Sequence, residues 1–349
     1  MKIRINLAGL LGLGMLALSP VAFSAVDLSG TYDVATLTPL ERPKAYGKNL
    51  YLSVEDADKM RAADAAAKAD RNEASNPDRD APPSGGDGSP GAAGNVGGYN
   101  TFWIDNGDQA FLVDGKFRTS ILTTPADGRR PKLTPASAKR MAERRKRYRT
   151  NQGEAWWLKE DMKGPGPYDD MELRPAAERC LLGFGPVAGP PMFPTLYNNL
   201  KRIVQSEDSI MILAEMVHDA RVVRMNEAHR PEDIRTWLGD SIGWWEGETL
   251  VVDTTNFTDK PALNGASRNL HVVEKFSRLE NGDLLYSFLV DDPTVWSSPW
   301  GGEYPWPATQ DKVYEYACHE GNYSFGNIMR GARLLEQDFI NEGSIGGGN

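Results

Sequence analysis

Four histidines carry whatever imidazole chemistry this chain has: His218, His229, His271 and His319. His218 lies in Glu215-Met216-Val217-His218-Asp219-Ala220-Arg221. There an imidazole, two carboxylates and a guanidinium could move a proton and hold an anion. Glu215 sits on an apolar run, and burial would raise its carboxyl toward acid–base work. His229 stands before Arg230-Pro231-Glu232-Asp233 in a loop, the kind of segment that carries sites on a rigid scaffold. His271 opens a strand and, beside a carboxylate, would be an oriented base. Glu215, His218, His229 and His271 are therefore the candidate catalytic residues. Each has a plain structural alternative: a hairpin turn with a salt bridge, an exposed loop residue, a cross-strand ion pair.

Eight further residues are candidates for contacting a substrate: Arg221, Trp237, Asp253, Asp292, Trp296, Trp300, His319 and Glu320. Trp237, Trp244, Trp245, Trp296, Trp300 and Trp306 gather in the second half of the chain. Those in Asp291–Trp306 read as an aromatic, Pro/Gly-rich loop suited to stacking on an apolar ligand or to plugging one end of the domain. His319 and Glu320 follow Cys318 in a polar run that could equally be a capped strand end. The sequence holds no GxSxG, P-loop, strand-borne GxGxxG or HExxH pattern. No histidine has a second one at i+2 or i+4, so neither metal nor cofactor is expected.

The element that must position these groups is Thr236–Phe257, TWLGDSIGWWEGETLVVDTTNF. Ser241–Trp245 and Glu248–Phe257 read as two strands around a turn at Glu246-Gly247. Strand alternation sends Leu250, Val252 and Thr254 one way and Val251, Asp253 and Thr255 the other. An Asp in such an arm must be solvated, hydrogen-bonded or functional. Upstream, Leu28–Val34, Leu200–Ser206, Ser209–Val217 and Arg221–Asn226 alternate as strands. Downstream, Asn281-Gly282 as a two-residue loop pairs Leu279 with Leu284, Phe276 with Ser287 and His271 with Asp292. Lys312–Ala317 reads as a last strand. Short strands are also expected at Phe102–Ile104, Gln109–Val113 and Arg118–Leu122.

This succession predicts a mainly β fold. An antiparallel up-and-down, lipocalin-like barrel with a ligand-sized interior is the first reading, and a β-sandwich the second. Peripheral helices are expected near 53–74, capped by Ser53, and near 135–149, capped by Thr134 with Pro135 at the first position. The second helix carries Lys139, Arg140, Arg144, Arg145, Lys146, Arg147 and Arg149, either a solvated face or an anion or membrane-surface patch. Residues 75–98 are rich in Pro, Gly, Ser and Asp and read as a flexible loop within one domain, 26–349.

Residues 1–25 have the layout of a secretory signal peptide: Lys2 and Arg4, an apolar run from Leu7 to Leu18, and a small-x-small site at Ala22-Phe23-Ser24. Export to the periplasm or beyond follows, with no stable membrane insertion. The net charge of −9 argues against nucleic-acid partners. In an oxidising compartment the only two cysteines, Cys180 and Cys318, are expected to pair.

Several segments between Tyr99 and Arg333 make a recognisable set: YNTFWID, RTSIL, GPPMFPTLYNN, EMVHDAR, WLGDSIGWWEGETLVVDTTNF, NLHVVEKFSRL and YEYACHEGNY. Through them the chain resembles a large uncharacterised family of secreted bacterial proteins. The resemblance implies secretion and a β-barrel-like core. The chain departs from it at Asn226–Pro231, where that family often has an Asp-Gly-Arg-Pro-His type of turn.

The reading of function is an exported protein acting on a small aromatic or lipophilic molecule by acid–base chemistry, as a hydrolase or lyase. The alternative is a non-catalytic binding protein for a lipophilic ligand. A third possibility, an envelope interaction protein, calls for a broad exposed aromatic patch and no cavity. Convergence of at least two candidate catalytic side chains separates the first from the others.

Overall fold

The computed structural model describes residues 26–74, 78, 80, 104–149 and 153–346. The expected signal peptide at 1–25, nearly all of the loop at 75–98 and the Phe102-Trp103 part of an expected strand lie outside the described residues.

The chain is mainly β. Its strands are β1 (Gly30–Asp33), β2 (Leu112–Val113), β3 (Lys116–Phe117), β4 (Leu122–Thr124), β5 (Leu200–Gln205), β6 (Ser209–Ala214) and β7 (Ala220–Met225). They continue as β8 (Asp240–Glu246), β9 (Thr249–Thr255), β10 (His271–Arg278), β11 (Leu284–Asp291), β12 (Trp300–Trp306) and β13 (Ala308–Thr309). Eleven of them form one sheet in the order β13-β1-β5-β6-β7-β8-β9-β10-β11-β12-β4, and β2 pairs with β3 alone. Neighbours run antiparallel except β7 and β8, which are parallel from Val223↔Ser241 to Met225↔Gly243. The long connection between Met225 and Asp240 returns the chain to the end of the sheet from which β7 started. It replaces the simple up-and-down step the sequence suggested.

Period-2 patterning makes the sheet two-faced, and in β6 burial alternates at every residue. The inward side chains form one core that includes Tyr32, Phe276, Tyr286, Phe288, Trp300 and Trp306. The rings pack tightly, with Tyr286 and Trp306 centroids 4.8 Å apart and Phe276 and Tyr286 5.0 Å apart. The interior expected to hold a ligand is thus filled by the protein's own aromatic residues.

Arg221 of β7 crosses that interior to Glu274 of β10, with bonds of 2.5 and 2.9 Å. Tyr286 donates to the same carboxylate at 2.8 Å. Its hydroxyl in turn accepts the Met192 N–H at 2.9 Å, and Tyr304 donates to the Met192 carbonyl at 3.0 Å. Ser241 and Thr254, 2.8 Å apart, complete the lining around the guanidinium.

Two expected helices are present. α1 (Val54–Asn72) is capped by Ser53, which accepts from the Asp56 N–H, and α2 (Pro135–Arg147) by Thr134, which accepts from the Ser137 N–H. α3 (Trp156–Lys159) is a single short turn, and the described residues close with a helix that the sequence pattern did not announce, α4 (Tyr323–Gly346). Ala332 of α4 packs on Trp156 and Trp157, and Trp157 donates to Glu336 at 2.8 Å. Cys180 and Cys318 form a disulfide across a separation of 138 residues. A loop of that length is worth roughly 4–5 kcal/mol in the chain-entropy picture. Among the described residues no helix is long and apolar enough to cross a membrane.

Four expectations need correction. The β10–β11 register is shifted by one, so Phe276 faces Tyr286 and His271 faces Asp291 rather than Asp292. The loop between them has three residues, not two: Leu279 donates to the Asp283 carbonyl, and Gly282 sits at φ 90°. The stretch read as a Pro/Gly-rich loop contains β12 instead. Its glycines serve close packing: a Cβ on Gly301 would lie 2.3 Å from the Phe288 carbonyl oxygen, and one on Gly302 2.2 Å from that of Ile121. Finally, Lys312–Ala317 is not a strand; the chain has already paired with β1 through β13.

The Arg221–Glu274 pair gives the first prediction. Glu274→Gln leaves a buried guanidinium without its counter-charge and is expected to cost about 3–5 kcal/mol in urea unfolding. The double change Arg221→Met with Glu274→Leu should recover most of that loss. An unchanged midpoint in the single variant would refute the role given to the pair.

Candidate functional site

The outward face of β8, β9 and β10 collects the polar residues that the inward face cannot hold. Thr254 points in and is fully buried, so Asp253 points out. In the register, Asp253 lies beside Ile242 of β8 and Val273 of β10. Asp240 and His271 stand two residues before those partners and share their face. The long β7–β8 connection then lays His229 over the same surface. Asn256 fixes that connection by donating to the Arg230 carbonyl at 2.9 Å.

The result is a chain of alternating carboxylates and imidazoles. The Asp240 carboxylate accepts two bonds from Arg224, at 2.9 and 3.0 Å, and one from the Arg230 N–H at 2.9 Å. His229 Nδ1 lies 2.9 Å from Asp240 and its Nε2 2.9 Å from Asp253. The other oxygen of Asp253 is 2.8 Å from His271 Nε2. Side-chain exposure is 7% for Asp240, 26% for His229, 20% for Asp253 and 42% for His271. His271 is the end that meets solvent, and its Nδ1 has no protein partner among the described residues.

The electrostatics follow from this order. Burial pushes Asp253 up, but bonds from His271 and His229 outweigh it and hold the carboxyl below its ordinary value. Burial also opposes ionisation of Asp240, and the Arg230 N–H, His229 and Arg224 together bring it down. His271 is raised above its ordinary value by its bond to Asp253, against burial. An ionised carboxylate only accepts hydrogen bonds, so the ring nitrogens that face Asp253 are the donors. His271 donates from Nε2 and keeps Nδ1 for proton exchange.

Two of the four candidate catalytic residues, His229 and His271, therefore converge, with Asp253 between them. Glu215 and His218 do not join them. They lie before β7 while His229 lies after it, a strand length of roughly 15–20 Å away. Glu215 is buried and accepts from the Tyr314 N–H at 3.0 Å, and the exposed His218 has Nδ1 3.2 Å from the Tyr316 carbonyl. Both tie down the 314–316 stretch. Beside them Lys201 is wholly buried, and its Nζ has no hydrogen-bond partner among the described residues. Burial brings its ammonium down to about 8, against the pull of Asp219, Glu215 and Asp33.

Among the candidate contact residues, Arg221 is consumed by Glu274 in the core. Trp296 and Trp300 are buried, at 4% and 0% exposure, and present no ring to a ligand. Asp292 is 1% exposed and accepts from Ser267 and Thr294, so it caps a loop and does not face His271. His319 and Glu320 lie exposed in the turn after the disulfide, apart from the histidine pair. Trp237 is exposed and lines a cleft.

Asp240 and Arg224 are absent from the candidates drawn from sequence. The signal was present: starting the strand at Asp240 rather than Ser241 puts Asp240 in the same alternating row as Ile242 and next to Asp253. Among the described residues, no group of three or more His, Cys, Asp or Glu side chains is placed to hold a metal ion. No protein-family model matches the chain, and no curated protein matches it.

The pH dependence of the pair has a definite sign. His271, raised above 6.5, contributes stability that is complete at low pH and is lost as pH rises through its folded value. Asp253, lowered below 3.8, contributes stability that is lost as pH falls through its folded value. The pair is thus most stabilising between the two ordinary values, about pH 4 to 6.5. Proton NMR of the His271 ring should titrate above 6.5, and Asp253→Asn should shift it down. A His271 titration that ignores Asp253→Asn would contradict the arrangement.

Proposed function

We propose that this protein is an exported catalyst of acid–base type, a hydrolase or lyase for a small aromatic or lipophilic molecule. His271 is its proton-transfer group and Asp253 the residue that positions it. The observation that carries the reading is the Asp253 carboxylate shared by two imidazoles, one half-buried and the other more exposed, with its Nδ1 turned away from the carboxylate. A raised, carboxylate-anchored histidine exchanges protons close to neutral pH, where its acid and base forms are both available. His229, Asp240 and Arg224 act through Asp253: they supply the charge balance that keeps it ionised and immobile.

The same reading takes the sheet as a lipocalin-like barrel within one domain, 26–349. It is supported by the chain path at the two ends of the strand order. β12 pairs with β11 and β13 pairs with β1, yet only Pro307 separates them in sequence. Export is supported by the oxidised Cys180–Cys318 pair and by the signal-like leader. Membership of the secreted family it resembles belongs to this proposal too. A carrier role in which the ligand sits inside the sheet finds less support, because aromatic side chains fill that space.

The test is consumption of a panel of small aromatic esters, lactones and hydroxylated aromatics, followed by liquid chromatography and mass spectrometry. At least one should be turned over, and His271→Gln should slow that turnover by roughly 10²–10⁴-fold. The pH profile of the wild type should inflect where the His271 ring titrates by NMR. Turnover that survives His271→Gln unchanged, or no turnover across the panel, would overturn the proposal.

A further inference from the structure

A second feature lies away from the histidine pair. α2, the 173–185 stretch, the 259–266 loop and Trp237 enclose an open cleft of about 550 Å³. That is the size of a small-molecule site. Its walls combine two things that a merely solvated surface does not need.

The first is uncompensated positive charge in a chain whose net charge is −9. Three of the ionised groups on the cleft are already neutralised by partners of opposite charge. Arg174 is held by Glu178 at 2.8 and 2.9 Å, Glu143 by Lys146 at 2.8 Å, and Asp259 by Arg268 at 3.4 Å. Arg140, Arg144, Arg147, Arg179 and Lys260 also line the cleft, and none has a carboxylate partner among the described residues. Arg144 reaches the Asn264 amide oxygen at 3.3 Å and lies over the Tyr148 ring, Arg147 reaches the Pro165 carbonyl at 2.9 Å, and Lys260 the Glu172 carbonyl at 3.3 Å.

The second is exposed aromatic surface facing the same space. Phe184 is 70% exposed and Trp237 38%. Large side chains left open beside unpaired guanidinia form a site with an apolar wall and an anion-binding rim. Guanidinium forks fit carboxylate, sulfonate and phosphate oxygens, and the rings fit a planar body.

We infer that this cleft binds a small amphiphilic anion: one carboxylate, sulfonate or phosphate group on an aromatic or lipophilic body. The site is independent of His271, which does not line it, so either proposal can fail without the other. It also gives the basic face of α2 a ligand in place of bulk solvent.

Isothermal titration calorimetry of the full mature protein tests this with three probes: naphthalene-2-sulfonate, naphthalene-2-methanol and inorganic sulfate. The sulfonate should bind saturably at one site, at least tenfold more tightly than the alcohol, and sulfate should bind more weakly than either. Arg140→Ala with Arg179→Ala should weaken the sulfonate tenfold or more, and raised salt should weaken it further. Trp237→Ala should weaken both naphthalenes; if that variant does not fold, Phe184→Ala serves the same purpose. His271→Gln should bind like the wild type. Equal affinity for sulfonate and alcohol, no saturation up to millimolar probe, or unaltered binding in the arginine variant would each overturn the inference.

Discussion

Arg221 enters the interior from β7 and ends on Glu274 of β10, so one bidentate ion pair ties two strands that have β8 and β9 between them. The pair is costly to desolvate and costly to break, which makes it a strong constraint on register and a weak source of net stability. Its surroundings meet that demand: Tyr286 completes the carboxylate, and Ser241 and Thr254 face the guanidinium. Because Thr254 is committed inward, Asp253 has to face outward. The inner ion pair and the outer histidine pair are thus two sides of the same four strands, β7 to β10. A one-residue slip of β9 would bury Asp253 and expel Thr254, and both arrangements would be lost together.

The outer arrangement also depends on the one parallel step in the eleven-stranded sheet. A tight hairpin between β7 and β8 would have left no chain to cover their outward face. The long crossover provides that chain, and it delivers His229 between Asp240 and Asp253. Arg224 on β7 and Asp240 on β8 then meet across the parallel pair. The row runs from a guanidinium at one end to the most exposed of its side chains, the His271 imidazole, at the other.

Much of this is legible in the sequence where local rules govern. Alternation in Glu248–Phe257 sets Asp253 apart from the core, and Ser53 and Thr134 announce their helices through side chains that accept from the third residue on. The cysteine pairing follows from count and compartment. What is not legible depends on distant parts of the chain. Asn281-Gly282 is compatible with loops of two or three residues, and packing of Phe276 on Tyr286 selects the longer one. Gly301 and Gly302 suggest a loop because their function, letting β11 and β4 approach, is invisible without those strands. His229 can be recognised as a loop residue, but its two carboxylate partners come from strands that only the crossover brings beneath it. Glu215 and His218 have the right types for chemistry and a structural use instead, holding the segment that leads to Cys318.

Asp253, held ionised, accepts from His271 Nε2 and so fixes where the neutral His271 ring keeps its proton. Long-range proton–nitrogen NMR of the folded, ¹⁵N-labelled protein reads that position directly. Neutral His271 is expected to carry its proton on Nε2, with Nδ1 as the unprotonated nitrogen. A neutral His271 ring protonated on Nδ1 would contradict that control by Asp253.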